Sequence, residues 1–417
     1  MGNPESRDKR AMRATAGLVI ALALLISACT SAPPFQPQRL AYDTALRERA
    51  VSKVESDIRV SVAIPSREEA QSIFGVDLSE RNILPLWLEI ENGRNERVFF
   101  LPTGLDPEYF APLEVAFLYK GVYADHTVLG RHFQALNFDS RSPIDPRATV
   151  SGFIFINAVE PSVVAQIDLF GWRWGKRISL SVPVPDTHGA HRRVRELREL
   201  YAAAELIEIG DDERLRAALE RLPCCTTDRA GAGRGLPLNL VVIGELEEAG
   251  PAFVRRGYRY SPVSPLYAIG RASDLSARKQ SRWVAAQPQT LRFWLTPLRY
   301  RGKSVFLGQV SSDLGGRFAG PGQEPSSIEP AVDDARNSVV QDLLYSQSVA
   351  RLGFVKGGGP VPAENPRETS DGSRYHTDGL RAVMVFKDEM ISLSEIDFFP
   401  WNILSPATAG TRTPTRP

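Results

Sequence analysis

Between Ile58 and Val184 apolar residues recur at every second position, and that period admits one regular structure. Ile58, Val60, Val62 and Ile64 alternate with Arg59 and Ser61 ahead of Pro65. Successive side chains of an extended chain point to opposite faces, so such a run describes a strand buried on one side. Similar runs follow at Leu84 to Ile90, Arg97 to Leu101, Glu114 to Tyr119, Val150 to Ile156, Val163 to Leu169 and Lys176 to Val184. Turn signals such as Glu91-Asn92-Gly93 and Thr103-Gly104 lie between them. Short strands at this density predict an all-β antiparallel sandwich over residues 56–186. Helical insertions are expected near Glu68 to Ile73 and Phe133 to Phe138. Trp172-Arg173-Trp174 reads as strand, with both indoles on one side and packed.

Past residue 186 the period changes. His191 to Ala204 and Asp211 to Arg221 read as helices, a connection over residues 187–222. Pro237 to Ile243 is a short apolar strand, and Glu245 to Arg256 a helix with Pro251 inside it. Thr290 to Thr296 and Ser304 to Ser311 flank Arg301-Gly302 as a hairpin. Val332 to Leu352 reads as a long amphipathic helix, opened by Glu329-Pro330 with Asp333 and Asp334 in its first turn. Leu380 to Phe386 is a last strand. The order β-α-β-β-α-β predicts a ferredoxin-like α+β domain over residues 223–402. The Pro/Thr-rich tail, 403–417, is expected to be disordered.

The N-terminus carries an address. Arg7, Lys9, Arg10 and Arg13 precede an eleven-residue apolar run, Ala16 to Ile26, and then Ser27-Ala28-Cys29. A membrane span needs ~20 apolar residues, so the run fits the core of a secretory signal instead. Leu25-Ile26-Ser27-Ala28-Cys29 resembles the bacterial lipobox, which implies removal of residues 1–28 and lipidation of Cys29. Thr30 stands where Asp would favour the inner membrane, so the resemblance implies an outer-membrane anchor facing the periplasm. Residues 29–55 are then a tether and linker, with Ser31 to Gln38 as a spacer off the bilayer.

Fifty Lys+Arg against 49 Asp+Glu give no electrostatic footprint for nucleic acid. Beyond Cys29 only Cys224 and Cys225 remain; their adjacency favours two small buried thiols over a strained vicinal bridge. The five histidines are scattered, so neither a metal nor another cofactor is expected. Gly302-Lys303-Ser304 mimics the end of a phosphate loop, but a strand follows it where a helix is required. No nucleophile motif is present, and no catalytic residue is assigned. The polar groups left as candidates are Arg271, Asp274, Asp313, Arg317, Asp333, Arg336, Asp378 and Arg381. Arginine forks bind phosphate or carboxylate oxygens in pairs, so the functional reading is an anion or headgroup site. The competing reading is a set of structural ion pairs.

Several segments resemble a known family. Leu222-Pro223-Cys224-Cys225-Thr226, Pro237-Leu238-Asn239-Leu240-Val241-Val242-Ile243-Gly244 and Gly270-Arg271-Ala272-Ser273-Asp274-Leu275 are similar to elements of the LssY C-terminal-type domain. So are Gly308 to Gly315, Val332 to Arg336, Asp342 to Ser348 and Thr377 to Ala382, over about residues 206–402. The resemblance implies an envelope or lipid setting. The expectation is a lipid-anchored envelope protein that binds an envelope lipid, anionic ligand or protein partner without catalysis. The alternative is a hydrolase or transferase acting on phosphate- or acyl-containing envelope molecules.

Overall fold

The computed structural model describes residues 33–35, 42–158, 162–185, 196–261, 263–279, 289–314, 328–370 and 372–401. The expected signal segment, Cys29, the expected tail and Arg317 lie outside them. Among the described residues the chain is mixed α and β, its sheets largely antiparallel.

The first half builds two small sheets. One runs β1 (Val51–Glu55), β2 (Ile58–Ala63), β3 (Ile83–Asn92), β5 (Thr149–Asn157); the other runs β4 (Phe99–Leu101), β6 (Ser162–Phe170), β7 (Gly175–Pro183). The inward positions of both sheets meet in one cluster: Ile58, Val60 and Val62 of β2 and Leu86, Leu88 and Ile90 of β3 face Ala165, Ile167 and Leu169 of β6 and Ile178, Leu180 and Val182 of β7. At ~1.5–3 kcal/mol for each fully buried aliphatic side chain, this alternation is what holds the two sheets. α1 (Tyr42–Arg49) and β1 precede the expected first strand, so residues 42–55 are folded chain. Pro33 to Phe35, expected within a spacer, are docked on the body: Phe35 is 9% exposed and Pro33 O accepts from Ala124 N.

α2 (Arg67–Phe74) forms where Ser66 caps it. The Ser66 side chain takes the Glu69 N–H and the Glu69 carboxylate takes the Ser66 N–H. α3 (Pro112–Leu118) replaces the strand expected at Glu114 to Tyr119. Pro112 stands in its first turn and Val115, Ala116 and Tyr119 are buried, a helical spacing inside an unbroken apolar run that period alone cannot assign. α4 (His126–Leu136) starts earlier than expected because Asp125 caps it. Trp172-Arg173-Trp174 is not strand but the bend between β6 and β7. Trp172 is 88% exposed there, while Trp174 donates its indole N–H to Glu96 and packs under Arg94.

The second half begins with helical residues 196–198; the rest of the helix expected from His191 lies outside the described residues or, from 199 to 204, is not α-helix. β8 (Ile207–Ile209) and α5 (Asp212–Glu220) follow, the latter capped by the Asp211 carboxylate. Then come β9 (Leu240–Ile243), α6 (Leu246–Arg255), β10 (Tyr258–Tyr260), β11 (Tyr267–Ala268), β12 (Arg271–Ala272), β13 (Leu275–Lys279), β14 (Gln289–Tyr300) and β15 (Lys303–Ser312). α7 (Val332–Tyr345), β16 (Val349–Lys356), β17 (Arg367–Glu368), β18 (Arg374–Tyr375), β19 (Leu380–Phe386) and β20 (Asp397–Phe398) complete the chain. The large sheet runs β10-β13-β14-β15-β9-β19-β16-β20, with β8 beside β14. Both its faces are covered. Leu240, Val242, Phe293 and Met384 pack under α6 and α7, whereas Val241, Ile243, Trp294 and Val383 pack against Leu215 and Leu219 of α5. That explains the unbroken apolar run of β9.

One helix expected over Val332 to Leu352 is therefore two elements. α7 stops at Tyr345, Gln347 takes φ 60°, and Val349 starts β16. β16, not the strand from Leu380, follows α7 in the sheet, and β19 inserts between it and β9, antiparallel to the one and parallel to the other.

Candidate functional site

The structure sorts the eight candidate residues into separate groups. Arg271 pairs with Asp274 and donates to Leu295 O, and Asp274 Oδ2 accepts from Leu295 N at 2.7 Å. Burial raises the Asp274 carboxyl above its usual range despite that N–H and the Arg271 charge. The pair thus fastens the β12–β13 turn to β14. Asp313 lies 3.5 Å from Arg278 Nη2, across the β13–β14 ladder.

Asp333, Arg336 and Asp378 do come together. Arg336 forms a two-pronged bond to Asp378, 2.9 Å at each oxygen, and donates to Leu380 O at 3.0 Å. Asp333 accepts from Thr377 Oγ1 at 2.8 Å and Asp378 N at 2.6 Å. Burial alone would raise the Asp378 carboxyl, yet the Arg336 fork and the Leu380 N–H hold it below the usual range. Together these bonds clamp the 377–380 turn onto the first turn of α7.

Arg381, on the neighbouring strand position, is fully buried. Its guanidinium donates to the carbonyls of Leu238 at 2.7 Å, Leu219 at 2.7 Å, Leu222 at 3.2 Å and Pro223. Burial lowers its pKa to about 10, so it stays charged at neutral pH. It satisfies the last carbonyls around the end of α5, a geometry in which a guanidinium replaces a helix cap. Directly after that turn Cys224 and Cys225 are bonded as a vicinal disulfide, not the two thiols favoured from adjacency. Leu238 N donates to Cys224 O and Thr226 N to Leu236 O, which ties the loop to the entry of β9.

Cys225, Leu238, Gly358, Gly359, Arg367, Tyr375 and Thr377 line a cleft of about 10 Å³ here. That is roughly the space of one water. Among the described residues no group of three or more His, Cys, Asp or Glu is arranged to hold a metal.

A second polar cluster was not among the candidates. Asp168 of β6, 6% exposed, accepts from Arg177 Nε at 3.1 Å and from Arg255 Nη2 and Nη1 at 2.8 and 2.5 Å. Arg177 also donates to Ser346 O, Gln347 O and Ser348 Oγ. Burial, then the Arg255 charge, lowers the Arg177 pKa from its usual value. Beside it, Arg259 donates to Asp106 at 2.5 Å. β6 and β7 of the first half thus grip α6 and the C-terminal carbonyls of α7. One turn back in α7, Asp342 pairs with Lys279 and Arg256, and Tyr258 OH lies 2.9 Å from Asp342 Oδ2 and 2.5 Å from Gln289 Oε1. Burial and the Asp342 charge push the Tyr258 hydroxyl far above its ordinary pKa. The only sequence signal of this seam is the polar pair Gln166 and Asp168 on one face of a strand.

Residues 243–380 match the family described as LssY C-terminus. The chain therefore carries an LssY C-terminal-type domain, and Arg271, Asp274, Asp313, Asp333, Arg336, Asp342 and Asp378 all lie within the matched span. No curated protein matches the chain. No helix among the described residues is long and apolar enough to cross a membrane.

Proposed function

We propose that this chain is a lipid-anchored envelope protein, acylated at Cys29 and facing the periplasm, most plausibly from the outer membrane. In this reading its LssY C-terminal-type domain binds an envelope lipid, an anionic ligand or a protein partner without catalysis. The observation that carries the non-catalytic part is the use to which the charged residues are put. Arg336 and Asp378 clamp a turn, Arg381 caps carbonyls, and Arg271 with Asp274 pins a strand, so their bonding capacity is already engaged.

The finer architecture belongs to the same proposal. The two small sheets form a sandwich around their shared cluster, and β9, α6, β14, β15, α7 and β16 form a ferredoxin-like core with β19 inserted. In the same proposal the first domain runs from α1 at Tyr42 to β7, and the second takes in β8 and α5 as well as the expected residues from 223.

The test takes the full chain, extracted in mild detergent. The Cys29 peptide should carry acyl chains, lost in Cys29→Ser. Native mass spectrometry should show a co-purified lipid, phosphorylated metabolite or protein. Turnover of phosphate or acyl esters that disappears in Asp378→Asn, with folding intact, would replace this reading by the hydrolase or transferase one.

A further inference from the structure

The helical insert between β4 and β5 leaves an apolar face uncovered. α3 turns Leu113, Phe117 and Leu118 outward, and Val122 follows in the loop before α4. Leu113 and Phe117 are 51% and 59% exposed, and Val122 45%. Grouped exposed side chains of this size mark a surface that meets something apolar.

The same insert receives the N-terminal chain. Ala124 N donates to Pro33 O at 3.0 Å, and the Phe35 ring lies 4.8 Å from that of Tyr123 and 5.1 Å from that of His132. Gly75, which ends α2 at φ 74°, makes room for it: a Cβ there would stand 2.5 Å from Phe35 Cε2. Tyr123 OH donates to Gly75 O, and His132 Nε2 meets Ile73 O at 2.7 Å, so the seat for Phe35 is held from both sides.

We infer that the face of Leu113, Phe117, Leu118 and Val122 lies on the bilayer in which Cys29 is anchored. The inference rests on the reading of Cys29 as acylated. Cys29 and Pro33 are four positions apart, so their Cα atoms are separated by at most ~14 Å at ~3.3–3.6 Å per residue. The headgroup layer of one leaflet is about 5–8 Å deep. Acyl chains seated in hydrocarbon therefore keep Pro33, and with it Ala124, within ~6–9 Å of the headgroup surface. The occupant of the face is a lipid surface because that short residual reach keeps the insert beside the bilayer, and burial of the apolar side chains closes the remaining gap. Between β4 and β5 six acidic residues stand against Lys120, Arg131, Arg141 and Arg147 and leave the insert at −2, so contact is driven by apolar burial. Lys120, with its ammonium 4.3 Å over the Phe117 ring, is placed to reach phosphates while its stem stays with the apolar side chains.

The test uses the full acylated chain in phosphatidylethanolamine vesicles containing a nitroxide-labelled lipid. A polarity-sensitive fluorophore on Val122→Cys should be quenched, whereas the same label on Glu368→Cys reports the second half. Cys224 and Cys225 are bonded and take no label. Exchanging Leu113 and Phe117 for Ser, both exposed, should reduce the quenching of the Val122 label at least about fivefold without changing acylation. High salt should leave it unchanged. An acylated chain whose label at 122 is quenched no more than that at 368 overturns the inference and leaves the lipoprotein reading standing. So does a label shielded only when envelope proteins are added, since that marks a protein interface. An N-terminal peptide without acyl chains removes both.

Discussion

Replacing Asp168 by Asn removes the one carboxylate that faces both Arg177 and Arg255 in the seam between the two halves. The side chains of Arg177 and Arg255 are 0% and 9% exposed, and Asp168 takes three of their N–H groups. Asparagine keeps the shape but turns an NH₂ toward one guanidinium, leaves Arg255 without the carboxylate it binds, and leaves Arg177 only the weaker field of Asp388. Each lost charge-assisted bond amounts to ~1.5–3 kcal/mol, and breaking a buried pair from one side typically costs ~3–5 kcal/mol. The folding constant should fall on the order of a hundredfold to a few thousandfold. Urea unfolding of the chain from residue 30 onward, followed by intrinsic fluorescence, measures it, because Trp87 and Trp294 report one half each from fully buried sites. Asp145→Asn supplies the scale: its partner Arg97 is 67% exposed, and that surface pair should contribute under ~1 kcal/mol. If Asp168→Asn shifts stability no more than Asp145→Asn does, the seam is hydrated and the two halves are merely apposed.

Two further perturbations test the local arguments. Arg381→Met should destabilise by ~3–5 kcal/mol, because four carbonyls near the disulfide lose the guanidinium and only Leu219 O keeps a backbone donor, and hydrogen exchange at residues 222–226 should rise first; unchanged exchange there would refute the capping role. The Glu69 carboxyl, bonded to Arg49 and to the Ser66 N–H, sits at about 2 against an ordinary value of 4.5. A depressed acid stabilises above its unfolded pKa and loses that contribution as pH falls through the folded one. Being part-exposed it contributes under ~1 kcal/mol, so Glu69→Gln should be slightly less stable than the parent at pH 7 and equal to it near pH 2, by the same urea assay.

How far the sequence could be read depended on whether each structural decision was local. β2, β3, β5, β6 and β7 are legible because aliphatic residues at every second position of each enter one shared cluster, which writes period two into the chain even where the other face is buried too, as at Trp87 of β3 and Phe153 and Phe155 of β5. α5 is legible from Asp211, whose carboxylate caps it. The run Glu114 to Tyr119 is not, since six mostly apolar residues fit a strand or two helical turns equally, and Pro112 decides for the helix. The break after Tyr345 is likewise hidden: no Gly or Pro marks it, and Gln347 adopts a left-handed backbone whose carbonyl, with that of Ser346, meets Arg177. That bond spans 170 residues.

The same distinction applies to the charged residues. Charge patterning finds arginines and aspartates but not the direction in which they point. On β6 the polar residues Gln166 and Asp168 alternate with Ala165, Ile167 and Leu169, the pattern of a solvent-facing side, yet they are 1% and 6% exposed because Arg255 of α6 lies across them. A buried strand face can carry polar residues only where charged partners arrive from elsewhere to satisfy them. The seam that joins the LssY-type domain to the β-rich half is therefore written in residues that look like surface. In the second half Arg336, Asp378 and Arg381, which charge patterning selects as ligand candidates, are bonded to turns and carbonyls of the fold itself.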